Sequence, residues 1–423
     1  MREALSAMTT RGRAFLAAGG TAALCALLLG QKELLRVGVL LLLLPVVTAF
    51  FLGRSRYRLG LVRSVNPLQV TAGQPARVQL ELTNDGKMPT GVLLLEDQVP
   101  YTLGTRPRFV VDRMGHHWKR TIEYVVRSDV RGRYELGPMV VRLTDPFGMV
   151  ELVRTFQSTS TLVVTPRVVP LPIIPLSGAW TGSGDNRPRA FASGSAEDVT
   201  VREYRRGDDL RRVHWRSSAH AGELMVRREE QPWQSRATLL LDNRRIAHRG
   251  TGAASSLEHA VSLTASIAVH LAQRGFQVRM LTAAGEEHGA AWHERSALAA
   301  ETGPLLEALA VVGEASAAHL DVSWLQEIGH TGLLVAVLGR VTDYDKPALS
   351  RIRHSATTAM AVSLEVGDQA ADADSGAGWL KAHGWKAVAA GLHDPQPTVW
   401  ETLGRSARGS NGRRDLAAPE AVR

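Results

Sequence analysis

The sequence contains very little cysteine: Cys25 is the single cysteine among 423 residues. One thiol cannot form a disulfide within the chain, and it cannot build a cluster of thiolate ligands around a metal ion. Because Cys25 lies inside an apolar run, we interpret it as a small packing group rather than as a nucleophile.

Familiar catalytic motifs are also missing. The chain has no Gly-x-Ser-x-Gly elbow, no phosphate-binding P-loop and no His-Glu-x-x-His helix. Asp208, Asp209 and His214 offer acid and base groups, but the arginines around them are placed to neutralise the carboxylates. We therefore expect no enzymatic activity and no cofactor.

The net charge of +9 does not form a continuous basic surface. Much of the excess lies beside two apolar runs, at Arg2, Arg11, Arg13, Arg54, Arg56, Arg58 and Arg63. The rest of the chain is close to balanced, so nucleic-acid binding is not expected.

Residues 1–58 contain two uncharged apolar runs, Ala14 to Gly30 and Val37 to Gly53. Each is near the short end of what spans a bilayer, and the polar turn between them predicts a transmembrane helical hairpin. A cleaved signal peptide and a buried soluble hairpin fit less well, because a cleavage site is lacking and no face carries charge. The flanking arginines place both ends, and thus the soluble domains, in the cytoplasm of a two-helix protein of the cell membrane.

Residues 59–170 change to a period of two. Val78, Leu80 and Leu82 alternate with polar residues, and Pro and Gly separate the further strand candidates at 91–95, 122–126, 139–143 and 162–164. This pattern predicts an antiparallel β-sandwich. His116 and His117 are adjacent, so on a strand they would point to opposite faces, and we favour a solvated loop over a metal site.

Residues 196–406 follow a Pro-, Gly- and Ser-rich linker or wrapping loop (171–195) and alternate strands with helices from Arg236 onward. The apolar run Ala237–Leu241 is typical of a buried parallel strand, and Ser256–Arg274 has helical spacing and ends at Gly275. The alternation predicts an α/β doubly wound sheet. The polar tail, residues 407–423, is expected to be disordered.

One stretch combines Arg, Asp, Trp and His around a Gly-Asp turn. Its residues are Tyr204, Arg205, Gly207, Asp208, Asp209, Arg211, Arg212, His214, Trp215, Arg216 and Gly222. Arginine forks pair with carboxylates or phosphates, so the stretch is either a structural ion-pair network or a docking or ligand surface. We expect Trp215 to anchor it by burial.

This stretch resembles the hallmark of the DUF58 family, bacterial membrane-anchored proteins of unknown function. The resemblance implies a C-terminal domain similar to a von Willebrand factor A domain. It also implies two partners, a MoxR-type AAA+ ATPase and a transglutaminase-like membrane protein.

The resemblance to von Willebrand factor A domains raises the possibility of a metal site. In the related domains an Asp-x-Ser-x-Ser loop and later oxygens hold magnesium, whereas here the loop reads Asp242-Asn243-Arg244-Arg245-Ile246. Asp242, Thr342 and Asp343 therefore form at most a degenerate metal site. We expect no metal there, and we expect Asp242 to pair with an arginine or to accept backbone N–H bonds.

Three functions remain open. The first is a membrane-tethered adaptor or scaffold that docks a cytoplasmic partner through the Arg/Asp/Trp motif. The second is a sensor of a small anionic ligand at the same motif, and the third is an uncharacterised enzyme. An excess of arginine over carboxylate would favour the sensor, and one-to-one pairing would favour a structural loop in the adaptor.

Overall fold

The computed structural model describes residues 7–54, 59–86, 92–112, 115, 118–145, 147–176, 200–203, 213, 215–228, 236–285, 287–288, 302–328, 331–364 and 370–409. Two compact units are present. Unit 1 comprises Met1–Arg167 with Leu306–Val312, and unit 2 comprises Val168–Leu305 with Gly313–Arg423. The predicted histidine pair His116 and His117 lies outside the described residues.

Nine α-helices occur in the part of the chain that the structure describes. They are α1 (Thr10–Leu29), α2 (Lys32–Arg54), α3 (Trp215–Ala221), α4 (Ser256–Gln273), α5 (Gly303–Val311), α6 (Trp324–Ile328), α7 (Lys346–Ser355), α8 (Ala370–Ala382) and α9 (Gln396–Gly409).

The strands of unit 1 are β1 (Leu59–Asn66), β2 (Gln69–Thr71), β3 (Pro75–Asn84), β4 (Val92–Asp97), β5 (Arg108–Val111), β6 (Trp118–Arg127), β7 (Gly132–Leu136), β8 (Met139–Thr144), β9 (Glu151–Phe156) and β10 (Ser160–Thr165). Those of unit 2 are β11 (Thr200–Glu203), β12 (Met225–Arg228), β13 (Arg236–Leu241), β14 (Gln277–Thr282), β15 (Glu287–His288), β16 (Thr331–Leu338), β17 (Ala356–Leu364) and β18 (Lys386–Ala390).

Helices α1 and α2 are long and apolar enough to cross a membrane. They pack closely because glycine lines their contact. A Cβ atom on Gly19 would lie 2.9 Å from Leu42, and one on Gly38 would lie 2.8 Å from the backbone nitrogen of Ala23. Small residues at such positions are typical of helix pairs inside lipid, where close backbone approach replaces the hydrophobic effect.

The β-strands of unit 1 form three sheets, in the orders β1-β3-β6, β2-β10-β7 and β5-β4-β8-β9. Alternation along β3 buries Ala76, Val78, Leu80 and Leu82 completely, as its sequence pattern predicts. Pairing is antiparallel in the described sheets of this unit, except that β2 lies parallel to β10.

A buried ion pair joins two of these sheets. The guanidinium of Arg63 donates to both carboxylate oxygens of Asp97, at 2.5 and 3.3 Å, and both side chains are almost fully buried. The Tyr124 hydroxyl donates to Asp97 at 2.5 Å. Burial, followed by the neighbouring Asp97 carboxylate, raises the pKa of Tyr124 well above its ordinary value of 10.0, so this hydroxyl keeps its proton.

Unit 2 contains a six-stranded sheet in the order β15-β14-β13-β16-β17-β18. Its strands pair in parallel except for the edge strand β15, which is antiparallel to β14. The predicted parallel α/β sheet is therefore confirmed, with the first strand in the centre. The short antiparallel edge and α6 are additions that the sequence pattern did not indicate.

The segment before residue 177 packs on unit 2. Trp400 is fully buried and donates its indole N–H to the carbonyl oxygen of Pro172 at 3.1 Å. Ile174 is buried against Gly404, where a Cβ atom would lie 2.7 Å away. The part of the predicted linker that the structure describes thus forms specific contacts with this unit.

Candidate functional site: the carboxyl edge of the parallel sheet

The strand order reverses between β13 and β16. From β13 the chain proceeds to β14 and β15 on one side, then returns to β16 on the other side. In doubly wound sheets ligands bind at the carboxyl ends of the strands at such a switch point. Asp242 follows β13 there, and Thr342 and Asp345 follow β16.

A guanidinium group fills this position. Arg244 donates from Nε and Nη2 to the two carboxylate oxygens of Asp242, at 2.9 Å each. Its Nη1 donates to Asp345 at 2.5 Å and to the carbonyl oxygen of Ala318 at 3.3 Å. The side chains of Arg244, Asp242 and Asp345 are all at least 98 % buried. The two carboxylates therefore share one internal cation.

The second carboxylate is held by its own turn. Asp345 accepts hydrogen bonds from the backbone nitrogen of Thr342 at 2.9 Å and from its hydroxyl at 2.8 Å. Asp343 points away instead, because it is exposed and forms an ion pair with Lys346. Of the three residues predicted for a degenerate metal site, Asp242 and Thr342 are thus linked through Arg244 and Asp345, whereas Asp343 lies outside.

A buried histidine fixes the backbone of the first loop. His248 contacts the carbonyl oxygen of Asp242 through Nε2 at 2.5 Å and the Ser256 hydroxyl through Nδ1 at 3.0 Å. Since a carbonyl oxygen only accepts, Nε2 carries the proton. Asn243 adds a bond from its amide to the carbonyl oxygen of Gly313 at 2.8 Å. The loop that presents Asp242 is therefore rigid.

The electrostatics favour a permanently charged arginine. Burial acts to lower the pKa of Arg244, but hydrogen bonds and charge attraction from Asp242 and Asp345 outweigh it and raise the pKa above its ordinary value. Within the described residues, no group of three or more His, Cys, Asp or Glu side chains could hold a metal ion. The arrangement thus supplies an internal cation where an oxygen cage for a hard metal would be needed.

The Arg/Asp/Trp stretch is described only at its end. Tyr204, Arg205, Gly207, Asp208, Asp209, Arg211, Arg212 and His214 lie outside the described residues. Val213 is buried, and α3 begins at Trp215 and is followed by Gly222 with a φ of +74°. The hydroxyl of Ser218 accepts from the backbone nitrogen of Met225 at 2.8 Å, which ties α3 to β12.

The exposure of Trp215 contradicts the prediction that this side chain is buried. The sequence predicts that Trp215 anchors the stretch by burial, yet 71 % of the residue is exposed, and the adjacent Arg216 is exposed too. The buried residue of this segment is Val213, two positions earlier. Because Trp215 opens a short helix, its side chain projects from the first turn rather than into the unit.

The family comparison matches one segment of the chain. The family described as "Protein of unknown function DUF58" matches residues 200–297, which include the whole Arg/Asp/Trp stretch, β13 and the Asp242–Arg244 loop. The chain contains a DUF58 domain. No curated protein matches this DUF58 protein.

Similar solved structures cover about a quarter of this DUF58 protein. The CARDB domain of the PF1109 protein from Pyrococcus furiosus, solved with di-metal ions, is 16% identical over 26% of this chain and 93% of its own, with a TM-score of 0.20. The putative ApaA protein from Bordetella pertussis is 11% identical over 26% of this chain and 96% of its own, with a TM-score of 0.21. At such scores neither likeness bears on the function.

The predicted pairing of Asp242 with an arginine is confirmed, and the arginine is Arg244. The sequence pattern offers Asp343 for this site, whereas the structure places Asp345 there. One signal was available: Thr342 and Asp345 have the spacing of a capping box, which turns the carboxylate at its third position back toward the chain.

Proposed function

We propose that this DUF58 protein is a non-enzymatic, membrane-tethered adaptor that docks a cytoplasmic partner through the segment around Trp215 and Arg216. The main support for this proposal is the exposure of Trp215. This tryptophan has 71 % of its surface exposed to water and lies beside the exposed Arg216. Tryptophan and arginine are the residues that most often dominate binding energy at protein interfaces.

The filled switch point supports a binding rather than a catalytic role. Ligands of doubly wound sheets enter where β13 and β16 end, but the Arg244 guanidinium and its two carboxylates occupy that edge. The saturated bonds leave no described acid, base or nucleophile poised there for a reaction. Surface segments such as α3 are then the better candidates for function.

The membrane part of the proposal is a helical hairpin. The close approach of α1 and α2 at Gly19 and Gly38 suits two antiparallel helices in a bilayer. Arginines outside the two runs favour cytoplasmic ends, with unit 1 as a β-sandwich and unit 2 as a von Willebrand A-like domain. Reporter fusions at Lys32 and after Arg63 test this topology, and an extracytoplasmic signal after Arg63 would rule it out.

The proposed partner is a MoxR-type AAA+ ATPase, and a transglutaminase-like membrane protein is a second. The test is co-purification of the ATPase with the full chain from native membranes. Trp215→Ala and Arg216→Glu should abolish recovery of the ATPase, as should Arg205→Glu and Arg212→Glu. Tyr101→Ala is the matched control, because Tyr101 is also an exposed aromatic residue (89 %) and lies in unit 1.

Two results would change the proposal. Unchanged recovery of the ATPase in every motif variant, with unchanged melting, would remove the docking surface. Saturable binding of phosphate to the wild type, lost in the arginine variants, would instead favour the second candidate, a sensor of a small anionic ligand.

A further inference from the structure

The turn between β8 and β9 is fixed to the beginning of α1. The backbone nitrogen of Thr9 donates to the carbonyl oxygen of Met149 at 2.9 Å, and its hydroxyl donates to Gly148 at 2.7 Å. Just before, the carbonyl oxygen of Ala7 accepts from the backbone nitrogen of Glu151 at 2.9 Å. The N-terminal segment thus extends the β8–β9 hairpin by backbone pairing and then enters the helix.

The turn itself is rigid. One carboxylate oxygen of Asp145 accepts from the backbone nitrogens of Met149 and Val150, at 2.6 and 2.7 Å, and the other accepts from Phe147 at 3.0 Å. Asp145, Met149 and Val150 are all buried. The position of Phe147 relative to α1 is therefore determined by hydrogen bonds on both sides of it.

The turn lies level with the start of the apolar run. Helix α1 begins at Thr10, and the uncharged run begins at Ala14, about 6 Å further along the axis at 1.5 Å per residue. Gly12 lies against the turn so closely that a Cβ atom would be 2.4 Å from the carbonyl oxygen of Met149. If α1 crosses a bilayer, the turn is at its interface.

The side chains of the turn fit a position at the bilayer interface. Phe147 is 57 % exposed, although Asp145, Met149 and Val150 of the same turn are buried. The Arg11 side chain lies over the same turn, with Nη1 3.4 Å from where a Cβ atom of Gly148 would be, and Arg13, two residues further, is exposed. An aromatic ring beside arginines matches the boundary where acyl chains meet phosphate groups.

We infer that the β8–β9 turn is a lipid-contact site: Phe147 lies at the boundary between headgroups and acyl chains, and Arg11 lies at the level of the lipid phosphates. This inference rests on the membrane anchoring proposed above. The occupant is the bilayer itself, because the turn is continuous with the helix that would enter it. The contact holds unit 1 against the membrane surface instead of leaving it on a free tether.

A matched control lies at the other end of the same sheet. Met139, the first residue of β8, is paired with Asp97, and Tyr101 follows Asp97 closely in the chain. The six residues of β8 separate that end from the turn by roughly 20 Å. Tyr101 is 89 % exposed, so it is an aromatic residue of the same unit that the inference keeps away from lipid.

Depth-dependent quenching tests the inference on the full chain in anionic lipid vesicles. An environment-sensitive fluorophore is attached to the native Cys25, or to Phe147→Cys or Tyr101→Cys in a Cys25→Ser background. Cys25 lies about 16 Å beyond Ala14 along α1 and about 6 Å before the end of that helix, so the proposed anchor places it inside the hydrocarbon core. Spin-labelled lipids with the quencher near the headgroup or near the chain end are then compared.

We expect the label at position 147 to lose more fluorescence to the shallow quencher than to the deep one, the label at Cys25 to show the reverse, and the label at position 101 to lose none. A label at position 147 that is as unquenched as that at position 101, while Cys25 is quenched deeply, overturns the lipid contact and leaves the anchor intact. An unquenched label at Cys25 overturns the anchor and the contact together.

Discussion

The guanidinium of Arg244 and the carboxylate of Asp242 face each other in a bidentate pair, with two N–H···O bonds of 2.9 Å. Bidentate pairs between arginine and carboxylate are among the strongest side-chain hydrogen bonds in proteins. This pair lies at the reversal of strand order, and Asp345 contacts the remaining nitrogen. The pair is therefore central to the stability of unit 2.

Arg244→Met should destabilise the protein by about 3–5 kcal/mol, because two carboxylates would remain buried without a counter-charge. The measurement is the free energy of unfolding from urea titration of the full chain in detergent. Arg405→Met is the control: its ion pair with Glu401 is on the surface and its loss should cost less than about 1 kcal/mol. Equal effects of the two substitutions would contradict the buried network.

Magnesium should not bind stoichiometrically to the wild-type chain, since the Arg244 guanidinium occupies the space between Asp242 and Asp345. Isothermal titration calorimetry at neutral pH measures this directly. Tight one-to-one binding that disappears in Asp242→Ala would show that the carboxylates are free to take a cation.

Trp215→Ala should change the free energy of unfolding by only about 0.5 kcal/mol, as for an ordinary surface substitution. Trp400→Ala, the buried counterpart, should cost about 3–5 kcal/mol through the cavity it leaves. Thermal melting of the two variants side by side provides the comparison. A large loss in Trp215→Ala would mean that this side chain is buried in the folded protein.

Asp97→Asn should cost about 3–5 kcal/mol, because it leaves the buried Arg63 guanidinium without its counter-charge. Tyr124→Phe removes one hydrogen bond to the same carboxylate and should cost about 1–3 kcal/mol. The exposed pair of Arg127 and Asp129 provides the control, since Asp129→Asn should be nearly silent in denaturant unfolding. A larger loss of unfolding free energy in Asp129→Asn than in the other two variants would refute the stabilising role of the buried Arg63–Asp97 pair.

Stability should fall as the pH drops below 6.5. Burial lowers the pKa of His259 and His270 in the folded chain below their ordinary value of 6.5. The unfolded chain then binds protons that the folded chain does not, so stability is complete above pH 6.5 and decreases as the pH falls toward the lowered values. The slope should be at most about 1.4 kcal/mol per pH unit for each histidine.

His270→Phe should flatten this pH dependence, because the ring packs edge-on against Trp400 and phenylalanine keeps that contact without the titration. The free energy of unfolding is measured in urea at several pH values. Val125→Ala, at an exposed position without a titratable group, is the control and should leave the slope unchanged. An unchanged slope in His270→Phe would mean that other groups cause the acid loss of stability.

Much of the fold could be predicted from the sequence because local and tertiary preferences agree. The run Ala237–Leu241 is apolar on both faces and becomes the central strand β13. The helix predicted to end near Gly275 ends at Gln273, and Gly275 has the positive φ of +81° expected after a helix.

The candidate site was harder to predict because it depends on side-chain direction. Arg244 and Arg245 are adjacent and chemically identical, yet the first is buried and the second is exposed. Asp343 and Asp345 differ in the same way within a single 3-10 turn. The prediction for Trp215 was wrong because tryptophan is usually buried, whereas this one begins a short helix at the surface.

The counter-ion of Asp242 and Asp345 is part of the chain itself. A bound ion is in equilibrium with its surroundings, so a chelator or simple dilution removes it and the domain loses the binding energy. The guanidinium of Arg244 has no free form to be removed. The edge of this sheet therefore keeps the same charge at any concentration of divalent ions, and only unfolding of the loop can release it.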